Sequence, residues 1–448
     1  MPFAALPQWT DLTPDQRFVA AERCQTAGAE LDGAFRLFVE SDEPGDEAPQ
    51  DAARVSHHIA GLPYAAKDMF DLAGRAPHCG LKAAFSAPPG ETATILRRLD
   101  DAGATRIGLT RMSKLAFEPS GIGTSHNPWN PDFAPGGSSS GSGACVACGA
   151  AFIAIGSDTA GSVRIPASCC GVTGWKPSAG IVPDDGAMAL SSSLDTIGLL
   201  ARGAADILMV GNATRLFDDD NTADVGTGSI VIAADLLELC DPSVRAACED
   251  GIAVLKRLGM SANVCTAGPA IDENGAAALR VLGAEAARNL GSLANLAAEE
   301  PNLARRVVSG LSVADDALLR DLDARTMARE AFLEGVFGHA DFLVTPTMAI
   351  RTPTLAEVDP AAPGFSGRTL YALSAFLRFA NYLGLPALSL PTGFDDRGMP
   401  VGLQIVARPG RDRDLLTLGA AFQAASNWHG RVPPLARPIL EATKSLSR

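Results

Sequence analysis

Short apolar runs recur along this chain between segments with helical patterning, and that alternation constrains the fold more than any other feature. "TRIGLT" follows the helix-like "ATILRRLDDA", with Thr92 placed to cap the helix and Gly103 to end it. "AFIAIGS" follows the small-residue segment "GACVACGA", and "SIVIAAD" leads to a helix opened by Asp241-Pro242, closed by Gly259 and followed by "ANVCTA". "DFLVTP", "PALSLPTG" and "PVGLQIVA" come later. Strands interleaved with helices predict an α/β fold: one large central mixed β-sheet with helices on both faces. Residues 271–339 are almost purely helical in pattern, as an inserted layer would be. Thr13-Pro14-Asp15-Gln16 has the form of a capping box and opens a helix expected to run to about Phe38. The expected organisation is an N-terminal helix and acidic loop over 1–52, one large domain over 53–430, and a C-terminal tail over 431–448.

At 448 residues and 47% hydrophobic content, the chain can bury a substantial core. Its formal charge of −14 argues against a nucleic-acid surface, which needs clustered Lys and Arg. The N-terminal "MPFAALPQWTDL" lacks the basic and apolar regions of a signal peptide, and no apolar run approaches the ~20 residues of a membrane helix. Nine scattered cysteines favour reduced thiols, so a cytoplasmic protein without membrane association is expected.

The stretch "PGGSSSGSGACVACG" (residues 135–149) invites several chemistries. A phosphate cradle is disfavoured because neither G-x-x-x-x-G-K-[ST] nor G-x-G-x-x-G is present. Gly137-Ser138-Ser139-Ser140-Gly141 satisfies G-x-S-x-G, but that elbow needs a strand running into it, and "NPWNPDFAP" with three prolines precedes it. Cys145 and Cys148 lack a second ligand pair for zinc and read as packing residues inside a small-residue helix. None of the six histidines (His57, His58, His78, His126, His339, His429) has a partner at ligand spacing, so a Ser-His-Asp enzyme is poorly supported and serine chemistry here needs another base. Lys67 in "GLPYAAKDMFDLAG" is the candidate: burial can keep a lysine neutral, whereas the plain alternative is an ion pair with Asp68 or Asp71.

Three blocks together resemble the amidase signature family: "GLPYAAKDMFDLAG", "PGGSSSGS" and "GSDTAGSVRIPASCCGVTGWKPSAG". Further similarity through "SLDTIGLLAR", "DFLVTPT" and "NYLGLPALSLPTG" extends the resemblance over residues 61–423. The resemblance implies a Ser-cisSer-Lys triad, with Ser162 as nucleophile, Ser138 as the bridging serine on a cis peptide and Lys67 as general base. It also implies an oxyanion hole of backbone N–H groups from Thr159, Ala160, Gly161 and Ser162. Supporting roles fall on Ser139, Asp158 and Arg164, with Arg164 open to a second role as reader of a substrate carboxylate.

The activity implied by the resemblance is that of an amidohydrolase cleaving a small or medium amide, carboxylated and ureide-like amides included, through an acyl-enzyme, with no cofactor or metal. The alternative is the glutamine-hydrolysing A-type subunit of a tRNA-dependent amidotransferase complex. The chain departs from the family at Ala160-Gly161, where two glycines are frequent, and at Arg111 and Lys114, where Asn and Glu are common; the amidotransferase component is expected to keep that Asn/Glu pair. The expected partners are a small-molecule substrate and, as a prior, a second copy in a homodimer.

Overall fold

The computed structural model describes residues 6–41, 58–217, 228–290 and 300–442. Most of the acidic loop and His57 lie outside the described residues. Eleven strands among those described form a single sheet: β1 (Phe38–Ser41), β2 (Pro63–Lys67), β3 (Thr105–Thr110), β4 (Ile153–Asp158), β5 (Thr173–Lys176), β6 (Thr196–Ala201), β7 (Ser229–Ala233), β8 (Ser261–Cys265), β9 (Phe342–Pro346), β10 (Ala387–Phe394) and β11 (Pro400–Ala407). Their order is β1-β3-β2-β4-β6-β5-β10-β11-β9-β7-β8. The sheet is mixed: β2 runs parallel to β3 and β4, and β7 parallel to β8 and β9, while β4, β6, β5, β10, β11 and β9 pair antiparallel in succession. Every residue of β2 and β4 is buried, as expected of strands covered on both faces.

Two short buried helices pack on this sheet, Ser140–Cys148 against β2 and β4 and Arg164–Cys170 against β5, β10 and β11. The helices that matter for the site are α1 (Pro14–Phe35), α2 (Thr94–Asp101), α3 (Ser140–Cys148) and α4 (Arg164–Cys170), and every residue of α3 and α4 is buried. A wholly buried helix must be apolar or small all round, and Ser, Gly, Ala, Cys and Val let α3 approach its neighbours closely. A Cβ on Gly143 would sit 2.9 Å from Pro166 Cβ of α4. On its other side α3 packs against Ala27, Leu31 and Phe35 of α1. Among the described residues the helical stretch expected at 271–339 comprises Gly268–Asn289, Pro301–Gly310 and Asp315–Phe332, with a final π turn at Leu333–Phe337.

The local expectations differ from the structure in three places. The capping box of α1 forms, but the helix ends at Phe35: Arg36 turns left-handed (φ 54°), its N–H closes on Asp32 O, and Phe38 begins an edge strand on β3. Thr92 does not cap α2; Ala93 holds that position, while Thr92 Oγ1 accepts from Ala73 N–H. Strands β5 and β6 stand where only motif blocks were read, one of them just four residues long.

Candidate active site

β2 delivers Lys67 at its C-terminal end, beside the end of the parallel strand β4. The Lys67 Nζ lies 2.7 Å from Ser138 Oγ and 2.8 Å from Ser157 Oγ. The side chain is fully buried, and that burial lowers its pKa from 10.5 to about 7 against the opposing pull of the Asp195 and Asp158 charges. Ser138 precedes α3, and the Gly137–Ser138 peptide is cis. Its carbonyl accepts from Ser113 N–H at 3.0 Å, which fixes the loop against the segment after β3.

Ser162 sits in the turn between β4 and α4, with 7% of its surface exposed. Its carbonyl oxygen accepts from Ser139 N–H at 3.2 Å, so the backbone joins the two serine-bearing loops. Ser139 adds a side-chain strap, donating to Ser157 O at 3.3 Å and accepting from Ser157 N–H at 3.4 Å. The Ser162 hydroxyl has no hydrogen-bond partner among the described residues and faces a narrow cleft of about 50 Å³, which Thr159 and Ala160 also line. The structure thus brings Lys67 and Ser138 into direct contact and ties Ser162 to them through Ser139.

Asp158 shapes the Ser162 turn. Its carboxylate accepts from the N–H groups of Gly161 at 2.8 Å and Val163 at 3.2 Å. Gly161 has φ +114°, a conformation for glycine, and a Cβ there would stand 2.5 Å from Leu377 Cδ1. Because the Gly161 N–H is spent on Asp158, it is not free to meet an oxyanion. The N–H groups of Ala160 and Ser162 are not engaged by any other group among the described residues, and the Thr159 hydroxyl is held by Asp195.

Arg164 is wholly buried and all five of its N–H donors are used. Nε and Nη2 grip Asp158 at 3.0 and 2.9 Å, Nη2 also reaches Asn381 Oδ1 at 2.7 Å, and Nη1 reaches Leu377 O at 3.1 Å and Gln404 Oε1 at 2.7 Å. Burial alone would raise the Asp158 pKa, but the charge and hydrogen bonds of Arg164 hold it well below the usual carboxylate range. Arg164 therefore braces the turn from inside and has no donor left for a substrate carboxylate. Reading the sequence missed Ser157, Asp195, Asn381 and Gln404. All four stand inside quoted stretches, Ser157 next to Asp158, Asp195 in "SLDTIGLLAR", Asn381 at the start of "NYLGLPALSLPTG" and Gln404 in "PVGLQIVA", but Asn381 and Gln404 lie 217 and 240 residues from Arg164 and meet it only through folding.

All nine cysteines are free thiols. Cys145 and Cys148 are buried in α3, where burial pushes the Cys148 pKa up to about 12 and that of Cys145 well above its usual value, so neither is a ready thiolate. No helix among the described residues is long and apolar enough to cross a membrane.

The mixed α/β sheet and the serine-rich loop closed onto a buried lysine define an enzyme that acts on carbon–nitrogen bonds. More particularly, the chain belongs to the amidase signature family, whose profile, described as Amidase, matches residues 20–416. It is 33% identical over 425 residues to the A-type subunit of the glutamyl-tRNA(Gln) amidotransferase of Dehalococcoides mccartyi, covering 84% of this chain and 86% of that one. A solved amidase structure superposes with a TM-score of 0.79 at 28% identity, covering 90% of this chain and 96% of that one. The solved structure of the corresponding amidotransferase component from Thermotoga maritima shares the fold, with a TM-score of 0.81 at 24% identity over 97% of this chain and 99% of that one.

Proposed function

We propose that this enzyme releases ammonia from a carboxamide by serine catalysis, with Ser162 as nucleophile and Lys67 as base. The observation that carries the reading is the 2.7 Å contact between Lys67 Nζ and Ser138 Oγ in a water-excluded site. A serine hydroxyl attacks only when a base takes its proton. Neutral Lys67 takes a proton from Ser138, which takes one in turn from Ser162 as the carbonyl carbon is attacked; a hydroxyl both donates and accepts, as a relay needs. The free N–H groups of Ala160 and Ser162, with that of Thr159 beside them, receive the developing oxyanion. The C–N bond breaks as the proton returns to the leaving nitrogen, and water then cleaves the acyl-enzyme by the same relay.

The sequence relatives favour glutamine as the amide and an amidotransferase complex as the setting, so the A-type subunit is the stronger of the two readings of substrate. A chain carrying −14 suits the ammonia-delivering part of such a complex, with the tRNA held by other subunits. The second reading, a stand-alone amidase on small or medium amides, is favoured by Arg111 and Lys114 at positions where the family commonly has Asn and Glu. Ammonia release from glutamine and from simple amides separates them. Glutamine turnover that appears only with partner subunits supports the first; efficient turnover of simple amides by the isolated chain supports the second. In either case Ser162→Ala should lower turnover by about 10⁴-fold or more, and a serine-directed phosphonate should label Ser162. Labelling of Ser139 instead, or unchanged turnover, overturns the assignment.

A further inference from the structure

The cleft at Ser162, about 50 Å³, holds a scissile amide and little more. Beside it lies a chamber of about 430 Å³, within the size range of small-molecule sites, and Glu118, Leu370 and Tyr371 line both spaces. The chamber offers the room that the body of a substrate larger than a bare amide needs. Among the described residues the charges facing this chamber are Asp68, Arg111, Lys114, Glu118 and Glu300, and three of them, Lys114, Glu118 and Glu300, are already answered by hydrogen bonds. Lys114 pairs with Glu300. Glu118 accepts from Ser113 Oγ at 3.3 Å and from the N–H groups of Ser120 at 2.7 Å and Gly121 at 2.9 Å. Asp68 has the Arg75 guanidinium 3.8 Å away, and neither of its buried carboxylate oxygens has a hydrogen-bond partner among the described residues.

Arg111 is the cation of the chamber that no described group answers. Its backbone is pinned on both sides, N–H to Leu37 O at 2.8 Å and C=O from Gly141 N–H at 2.9 Å, yet its Nε is buried without a hydrogen-bond partner. A half-buried guanidinium whose Nε is shut away from water without a partner, on a pinned backbone, suits a planar anion, since its fork matches a carboxylate in two parallel hydrogen bonds. We propose that Arg111 binds a carboxylate carried by the substrate, so that the amide hydrolysed at Ser162 is the amide end of an ω-carboxylated molecule. The inference rests on the amide-hydrolysing reading above and names its substrate class. It holds for glutamine, which carries a carboxylate, and for a simple dicarboxylic monoamide alike.

The test compares succinamate with succinamide, which differ only by carboxylate against neutral amide at the far end. The wild-type enzyme should prefer succinamate by about tenfold or more in kcat/KM per amide group, the scale of a charge-assisted hydrogen-bonded pair. Arg111→Gln should reduce that ratio to within about threefold, mainly through KM, and Arg111→Lys should fall between. Equal turnover of the two amides by the wild type, or the same ratio in both variants, overturns the proposal. Glutamine against glutaramate in the same assay shows whether an ammonium is also read. If the isolated wild type hydrolyses none of these amides, as the partner-dependent reading expects, calorimetric binding of succinamate to Ser162→Ala decides the Arg111 claim. A Kd raised about tenfold by adding Arg111→Gln supports it; no binding to Ser162→Ala, or an unchanged Kd, overturns it. Melting curves of each variant verify its fold.

Discussion

Lys67 can accept a proton only when it is neutral, and burial moves that condition into the working range. With a pKa near 7, the amine is mostly protonated below neutrality and mostly free above it. Turnover in the free enzyme should therefore rise with pH, by up to about tenfold per unit well below pH 7, and level off above about pH 8. A kcat/KM profile between pH 5 and 9 checks this, and a profile that falls across that range contradicts a neutral lysine base. Arg164 is the opposite case, a charge kept for structure. Arg164→Met would leave the Asp158 carboxylate buried and unpaired, and such a break typically destabilises by about 3–5 kcal/mol. Urea unfolding should show a loss of that order, whereas a wild-type midpoint would mean that the Asp158 pair contributes little. Lys67 was legible because a lysine in "GLPYAAKDMFDLAG" must either pair or lose its proton. The braces on Arg164 were not, since Asn381 and Gln404 lie 217 and 240 residues from it and no local pattern announces them.

The elements that hold the serines are fixed by close approach rather than by propensity. Helix α3 begins at Ser140, and a Cβ on Gly141 would stand 2.6 Å from Arg111 O, 2.7 Å from Arg111 N and 2.7 Å from Leu37 O. Those are backbone atoms and cannot swing aside, so Gly141→Ala must push the helix start away from β3, and Ser138 with it. The expected outcome is a loss of about 1–3 kcal/mol, the usual range for overpacking, together with a fall in turnover larger than stability alone explains. A variant that melts and turns over like the wild type would show that the helix start is free to shift. Strands such as β3 and β11 could be read because apolar runs bounded by turn residues mark them. β5 could not: "TGWK" has a glycine and a lysine in four residues, and it is a strand only because β6 and β10 flank it. β1 was hidden for a related reason, since its pairing to β3 is made by chain brought back after α1.

At the scale of the whole molecule, the buried ionisable groups give the fold a stability maximum at mildly alkaline pH. Lys67 and Lys176 are fully buried, and burial lowers both to about 7 from 10.5, with the Arg164 charge adding to the effect on Lys176. Between those values the unfolded chain binds more protons than the folded one, so stability rises with pH at up to about 1.4 kcal/mol per unit for each lysine. Seven cysteines are buried and act with the opposite sign. Burial raises their thiols above 9.0, to about 12 in Cys24, Cys148 and Cys169, so their contribution is whole below pH 9 and is lost as the unfolded thiols ionise. Seven such groups outweigh two lysines once an appreciable fraction of unfolded thiols is ionised, which places the maximum between about pH 8 and 9. Melting midpoints measured in reductant from about pH 7, above the range in which the buried Asp195 and Asp206 carboxyls (raised to about 6) titrate, to about pH 10.5 should climb gently and then drop steeply. Replacing Lys176 with Met should flatten the climb without moving the drop, because the two limbs belong to different groups. A midpoint still rising at pH 10 would mean that the thiols are not held in a dry core, and with it the close packing of α3 and α4 behind the serine loops would be in error.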